Sequence, residues 1–176
     1  MKQTDFQGEL GRLHAASFGW ALWCCDHRQE EAEEVLQTAY LKALEGAAKF
    51  DGRSSLRTWF FGVIRRTARE QRRRRWLRDQ ILERWFTRQP APMPAPEPEA
   101  VATGSENSRD LLQALAGLPP RQREVLHLVF YQDLTVEEAS RVLKVSVGTA
   151  RTHFARCKDQ LRQMLTRREG KHDGQE

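Results

Sequence analysis

Residues 134–151 read Leu134-Thr135-Val136-Glu137-Glu138-Ala139-Ser140-Arg141-Val142-Leu143-Lys144-Val145-Ser146-Val147-Gly148-Thr149-Ala150-Arg151. Thr135 followed three positions later by Glu138 is a capping-box signature and predicts a helix starting beside it. Ala139, Val142 and Leu143 give that helix an inner face at helical spacing. Lys144-Val145-Ser146 reads as a turn, and Ser146 as the cap of a second helix with Val147, Ala150, Phe154, Leu161 and Leu165 inward. Two short helices joined by such a turn are the helix-turn-helix plan, whose second helix enters the major groove of DNA. The residues offered outward are Thr149, Arg151, Thr152, His153 and Arg156. Arginine reads guanine bidentately, and threonine contacts a base edge or the thymine methyl. Lys158 and Arg162 lie further along, suited to phosphate.

Upstream of this pair, Leu111, Leu112, Leu115 and Leu118 precede Pro119-Pro120, a pair that suits a helix first turn. Val125, Leu128 and Val129 then face inward. Five of the seven prolines fall within Gln89-Pro90-Ala91-Pro92-Met93-Pro94-Ala95-Pro96-Glu97-Pro98-Glu99. Alternating proline removes backbone donors and restricts each preceding residue, so neither helix nor ladder can form there. An extended spacer results, and it separates an N-terminal part that also has helical periodicity.

In that part, Phe6, Leu10, Leu13, Ser17, Trp20 or Ala21, and Cys24 recur at helical spacing. Asp26 is placed to cap a helix whose inner stripe is Val35, Leu36, Ala39, Tyr40, Ala43 and Leu44. Phe50-Asp51-Gly52-Arg53-Ser54-Ser55 is a loop by composition. A long helix starts near Ser54 or Ser55, with Leu56, Trp59, Phe60, Val63, Ile64 and Thr67 inward and Arg57, Arg65, Arg66, Arg69 and Arg72-Arg73-Arg74-Arg75 on its polar side. Trp76, Leu77, Ile81, Leu82, Trp85 and Phe86 continue this helix or start another. The expected fold is all-α: two small helical domains at 1–86 and 109–168, a Pro/Glu-rich linker at 87–108, and a polar tail at 169–176.

Composition bounds the function. In 176 residues no apolar run approaches the roughly 20 residues of a bilayer span, and the first residues hold no apolar secretory core. Membrane and secreted classes are excluded on these signals, and a cytoplasmic protein is expected. The net charge of +5 is unevenly spread: residues 1–51 carry 5 basic and 9 acidic groups, whereas residues 53–88 carry 12 arginines and 3 acidic groups. Clustered arginine, with its planar fork of donors, points to a polyanion, most simply nucleic acid. Cys24, Cys25 and Cys157 are odd in number and two are adjacent, which gives no disulfide framework, and no Cys/His set has zinc spacing. Buried thiols in a reducing compartment are expected, with a redox role left open. The five histidines are scattered without a carboxylate or nucleophile at informative spacing. No catalytic site, metal, cofactor or small-molecule substrate is expected.

Over residues 9–77 and 110–165 the chain resembles the extracytoplasmic-function (ECF) sigma factors of the sigma-70 superfamily. The resemblance implies regions 2 and 4 joined by a linker, binding to bacterial core RNA polymerase, and promoter recognition. The stretch Ala32-Glu33-Glu34-Val35-Leu36-Gln37-Thr38-Ala39-Tyr40-Leu41 looks like the helix that docks on the polymerase, which implies contacts by Glu34, Val35, Leu36, Gln37, Tyr40 and Leu41. Lys49-Phe50-Asp51-Gly52-Arg53-Ser54-Ser55-Leu56-Arg57-Thr58-Trp59 is similar to the loop and helix start that open the −10 element and receive a flipped base. Single strands are held by cationic grooves with aromatic contacts, so Lys49, Phe50, Arg53, Ser54, Arg65, Arg66, Arg69 and Arg73 are the implied −10 residues, with Trp59 a core anchor. Leu118-Pro119-Pro120-Arg121-Gln122-Arg123-Glu124-Val125-Leu126 is similar to the helix opening region 4. The 134–151 stretch resembles the −35 reader, which implies Thr149, Arg151, Thr152, His153, Arg156 and Lys158 at the DNA. Lys144 stands where the family commonly has glycine, in a turn conformation that glycine takes more cheaply. An anti-sigma protein is a further partner implied. A polymerase-independent helix-turn-helix regulator and a sigma-like decoy for an anti-sigma protein stay open as alternatives.

Overall fold

A computed structural model describes residues 3–85, 115 and 117–172, with side chains over 5–81, 115 and 117–163. The expected linker at 87–108, Phe86 and the helix start at Leu111 and Leu112 lie outside the described residues. The chain divides into two compact units, Met1–Pro98 and Glu99–Glu176. Seven helices and no strand occur among the described residues: α1 Gln3–Arg12, α2 His14–Cys24, α3 Gln29–Leu44 and α4 Leu56–Trp85 in the first unit, then α5 Pro120–Phe130, α6 Val136–Leu143 and α7 Val147–His172 in the second. None of them is long and apolar enough to cross a membrane.

In the first unit α2, α3 and α4 pack mutually. Trp20 and Ala21 of α2, Val35 and Ala39 of α3, and Phe60, Phe61 and Ile64 of α4 are fully buried. The Trp20 indole Nε1 donates to the Phe61 carbonyl oxygen at 3.1 Å, so this large ring enters the core with its one polar atom satisfied. The N-terminal periodicity covers two helices rather than one, because the backbone breaks at Leu13, between α1 and α2. Asp26 does not cap α3. It and His27 take left-handed conformations (φ 53° and 62°) in the α2–α3 turn, and Arg28 occupies the N-cap position. Ser55 does cap α4, its Oγ accepting from the Thr58 N–H at 3.2 Å. Trp76, Leu77 and Ile81 continue α4. Leu44, expected in the inner stripe, is exposed near the end of α3.

In the second unit α5, α6 and α7 pack mutually around Val125, Leu128, Ala139, Val142, Leu143 and Ala150. Thr135 and Glu138 form the full capping box: Thr135 Oγ1 accepts from the Glu138 N–H at 3.2 Å, and Glu138 Oε2 accepts from the Thr135 N–H at 2.9 Å. Lys144 ends α6 in the left-handed region (φ 55°, ψ 49°), the conformation anticipated for a position where glycine is cheaper. Ser146 caps α7 by accepting from the Thr149 N–H at 3.0 Å. Val147, expected inward, is exposed in the first turn of α7. The backbone of α7 also runs through His172, into the stretch expected as a polar tail.

Candidate nucleic-acid interface

On α7, Thr149, Thr152, His153 and Arg156 recur at three- and four-residue steps and share one side, whereas Arg151 and Lys158, seven positions apart, fall together on the far part of the helix circumference. Thr149, Arg151, Thr152, Arg156 and Lys158 are exposed. His153 is half-buried, and its Nδ1 is buried with no hydrogen-bond partner among the described residues. Thr152 Oγ1 donates to the Gly148 carbonyl at 2.9 Å, which leaves its methyl as the free part of the side chain. Lys158 Nζ lies 5.2 Å from the Phe154 ring centroid. Arg151 reaches back to α6, where Nη2 donates to Glu137 Oε1 at 2.6 Å. The guanidinium beside it holds the Glu137 carboxyl below the ordinary carboxylate range. The partnership escaped the sequence reading because 14 positions separate the two residues and only the turn between helices brings them together.

In the first unit, the loop before α4 turns at Gly46 (φ 77°) and Gly52 (φ 72°), backbone conformations that glycine adopts without a Cβ clash. Asp51 Oδ1 accepts from the Arg53 N–H at 3.1 Å, and Trp59 Nε1 donates to the Lys49 carbonyl at 3.0 Å. Trp59 is only half-buried, so it anchors this loop more than the central core. Its ring lies 5.3 Å from Phe50 and 6.0 Å from Phe6. Phe6, from α1, is therefore part of the aromatic cluster on which the loop rests, and no local sequence pattern signals it. Lys49 and Arg53 are exposed beside this cluster, and Ser54 is half-buried.

The arginines of α4 divide by helical phase. Arg65 is 6% exposed, so its expected place on the DNA-facing side is corrected: residue 65 falls with Phe61 and Ala68 on the buried side. Arg66, Arg69 and Arg73 are exposed on the other side. Arg66 Nε donates to Glu70 Oε1 at 3.0 Å, and Lys42 of α3 donates to Glu70 Oε2 at 2.7 Å. These bonds, that of Lys42 above all, hold the Glu70 carboxyl below its usual range. Of the arginine run at 72–75, Arg75 turns to α3 and pairs with Glu31, which also takes Arg28 at 2.6 Å. Arg72, Arg73 and Arg74 stay exposed.

The α3 residues expected at the polymerase also divide. Val35 and Leu36 are 0% and 4% exposed, packed inside their own unit, so they are core side chains and not contact surface. Glu34, Gln37 and Leu41 are exposed, and with Leu44 they recur at three- and four-residue steps. The Tyr40 hydroxyl donates to the Leu10 carbonyl at 3.4 Å, and its ring lies 4.9 Å from Phe60, so Tyr40 ties α3 to α1 and α4. Burial pushes its phenol up. Cys25 and Cys157 are buried thiols. Burial first, and then the Glu31 charge, push the Cys25 thiol up to about 11.

The Sigma-70 region 2 family model matches residues 12–78, and the Sigma-70, region 4 model matches residues 114–163. The chain is 28% identical over 167 residues to the RNA polymerase sigma factor YlaC of Bacillus subtilis, covering 95% of this chain and 96% of that one. It is 29% identical over 127 residues to the ECF RNA polymerase sigma factor SigX of the same organism, covering 70% and 65%. Among solved structures, the sigma factor RpoE of Bartonella quintana, in complex with the anti-sigma factor NepR, is similar at a TM-score of 0.66 and 26% identity, covering 92% of this chain and 97% of that one.

Proposed function

The chain belongs to the sigma-70 family, in its extracytoplasmic-function group, and from that premise we propose that it binds core RNA polymerase and directs it to promoters. Residues 1–86 act as region 2 and residues 109–168 as region 4, with 87–108 as the connection. The observation that supports this reading is the presence, in one chain, of two different exposed cationic surfaces. One unit has an aromatic-backed loop with exposed Lys49 and Arg53 and, further along α4, exposed Arg66, Arg69 and Arg73, a combination suited to a melted strand. The other has a capped helix-turn-helix whose second helix presents Thr149, Arg151, Thr152 and Arg156, suited to duplex base edges. A regulator acting on duplex alone has no use for the first surface.

The roles follow from the side chains. Lys49, Phe50, Arg53 and Ser54 hold the −10 region, with Arg66, Arg69 and Arg73 on its phosphates. Thr149, Arg151, Thr152 and Arg156 read the −35 element, and Lys158 steadies the backbone. Glu34, Gln37, Leu41 and Leu44 form the outer stripe of α3 that meets the polymerase. The protein contributes recognition and strand opening and no chemistry of its own, and it works in the cytoplasm with the polymerase. The RpoE relative was solved with an anti-sigma factor, and a partner of that class is extended to this chain.

Run-off transcription with purified protein, bacterial core polymerase and a library of promoter fragments tests this. Transcripts with discrete starts, only when the protein is present, are expected. Specific duplex binding without core binding or transcription would replace this reading with that of an ordinary regulator.

A further inference from the structure

Arg75 of α4 is tied to Glu31, near the N-terminus of α3. Beyond it α4 continues to Trp85. There Trp76 is 60% exposed, Leu77 43% and Ile81 56%. An indole so exposed is unusual, since tryptophan normally buries most of its large apolar surface. Its position along the helix gives it a context. Arg66, Arg69, Arg73 and Trp76 follow one another at steps of three, four and three residues, so they form one row on the side away from the core. At about 1.5 Å rise per residue the row is ~15 Å long.

We infer that Trp76 is a base-stacking residue that terminates the Arg66–Arg69–Arg73 row and takes an unpaired DNA strand. The inference rests on the proposed function and adds a contact to it. The arginines supply the cationic track along a backbone, and the exposed indole supplies a face on which a base can lie, the two components of a single-strand site. An intact duplex does not satisfy the indole, because the faces of its bases are already covered by their neighbours. Leu77, beside Trp76 and one turn beyond Arg73, extends the apolar surface on which a base edge would rest.

The test uses the full chain and fluorescence anisotropy with a labelled mixed-sequence oligonucleotide, single-stranded and as duplex, across a salt series. Trp76→Ala should weaken single-strand binding by about 5- to 150-fold, the range set by one lost stacked base. It should leave duplex binding and the salt slope unchanged. Trp76→Phe should retain most of the affinity. Arg73→Ala should weaken both forms and lower the single-strand salt slope by about 0.7. Unchanged single-strand affinity in Trp76→Ala, an equal loss on duplex, or no single-strand binding by the native chain overturns the inference. So does a loss of core polymerase binding with DNA binding intact, which assigns the indole to a protein partner. If Arg73→Ala also has no effect, the reading of α4 as a DNA-binding helix fails along with it.

Discussion

Glu137 Oε1 accepts from Arg151 Nη2 at 2.6 Å, linking the first turn of α6 to the reading helix α7 across the turn at Lys144. Both side chains are substantially exposed (44% and 68%), so the pair is a weak brace for the fold. Its consequence is for the long, flexible Arg151 side chain, whose planar guanidinium rests against Glu137 in this structure.

Arg151→Ala should cost about 1–3 kcal/mol of specific DNA binding and relax preference at one position of the −35 element. Glu137→Gln should leave the melting temperature nearly unchanged, raise affinity for arbitrary duplex, and reduce discrimination at that same position. The comparison is between cognate and single-base-variant duplexes for each variant. Unchanged discrimination in Glu137→Gln would show that Arg151 needs no positioning.

Thr135→Ala removes the Oγ1 acceptor at the start of α6 and should destabilise the second unit by about 0.5–2 kcal/mol. Lys144→Gly should act in the opposite direction, by about 0.5–1 kcal/mol, since the left-handed conformation carries a Cβ penalty that glycine lacks. Urea denaturation of the full chain, followed at the second unit, measures both. A destabilised Lys144→Gly would mean that lysine contributes something at this turn beyond its backbone.

The first unit should lose stability in acid through Glu70. Its folded carboxyl is held below the ordinary value of 4.5 by Lys42 and Arg66. A depressed carboxylate contributes stability above its unfolded pKa, and that contribution is lost as pH falls through the lower folded value. Thermal melts between about pH 3 and 7 should therefore show a decline at the acid end that Glu70→Gln flattens. Parallel curves for the two proteins would assign the acid sensitivity elsewhere.

Arg73 and Arg75 are two positions apart and should behave differently. Arg73→Ala should lower the slope of log K against log salt on duplex DNA by about 0.9. Arg75→Ala should barely move that slope and should instead lower the melting temperature, because it leaves Glu31 of α3 without one of its two partners. Equal slopes for the two variants would show that Arg75 leaves Glu31 for phosphate.

Cys25 and Cys157 should react slowly with alkylating reagents at neutral pH in the folded chain, and Cys24, half-buried, should react first. The thiolate is the reactive form, and Cys25, pushed up to about 11, holds almost none at that pH. Mass spectrometry after timed alkylation separates the sites, and rapid native labelling of Cys25 would contradict its burial.

The sequence by itself determined most of the helices and their local chemistry, though not the break at Leu13 or the Arg28 N-cap of α3. The capping box at Thr135 and Glu138, the Ser146 cap and the left-handed turn at Lys144 are local devices, complete within three or four residues. The arginine density at 53–88 and the helix-turn-helix plan were legible for the same reason. Direction was not legible where a helix is covered on only part of its circumference. Arg65 and Arg66 are neighbours in the chain and identical in type, yet one is buried and the other faces outward. Val35 and Leu36 sit between exposed Glu34 and Gln37 and face their own core. Which arc of α3 and α4 is covered depends on where the other helices lie, and that was decided by tertiary packing alone. The same packing brought Arg151 to Glu137, Arg75 to Glu31 and Phe6 to Trp59, pairs that no spacing rule connects.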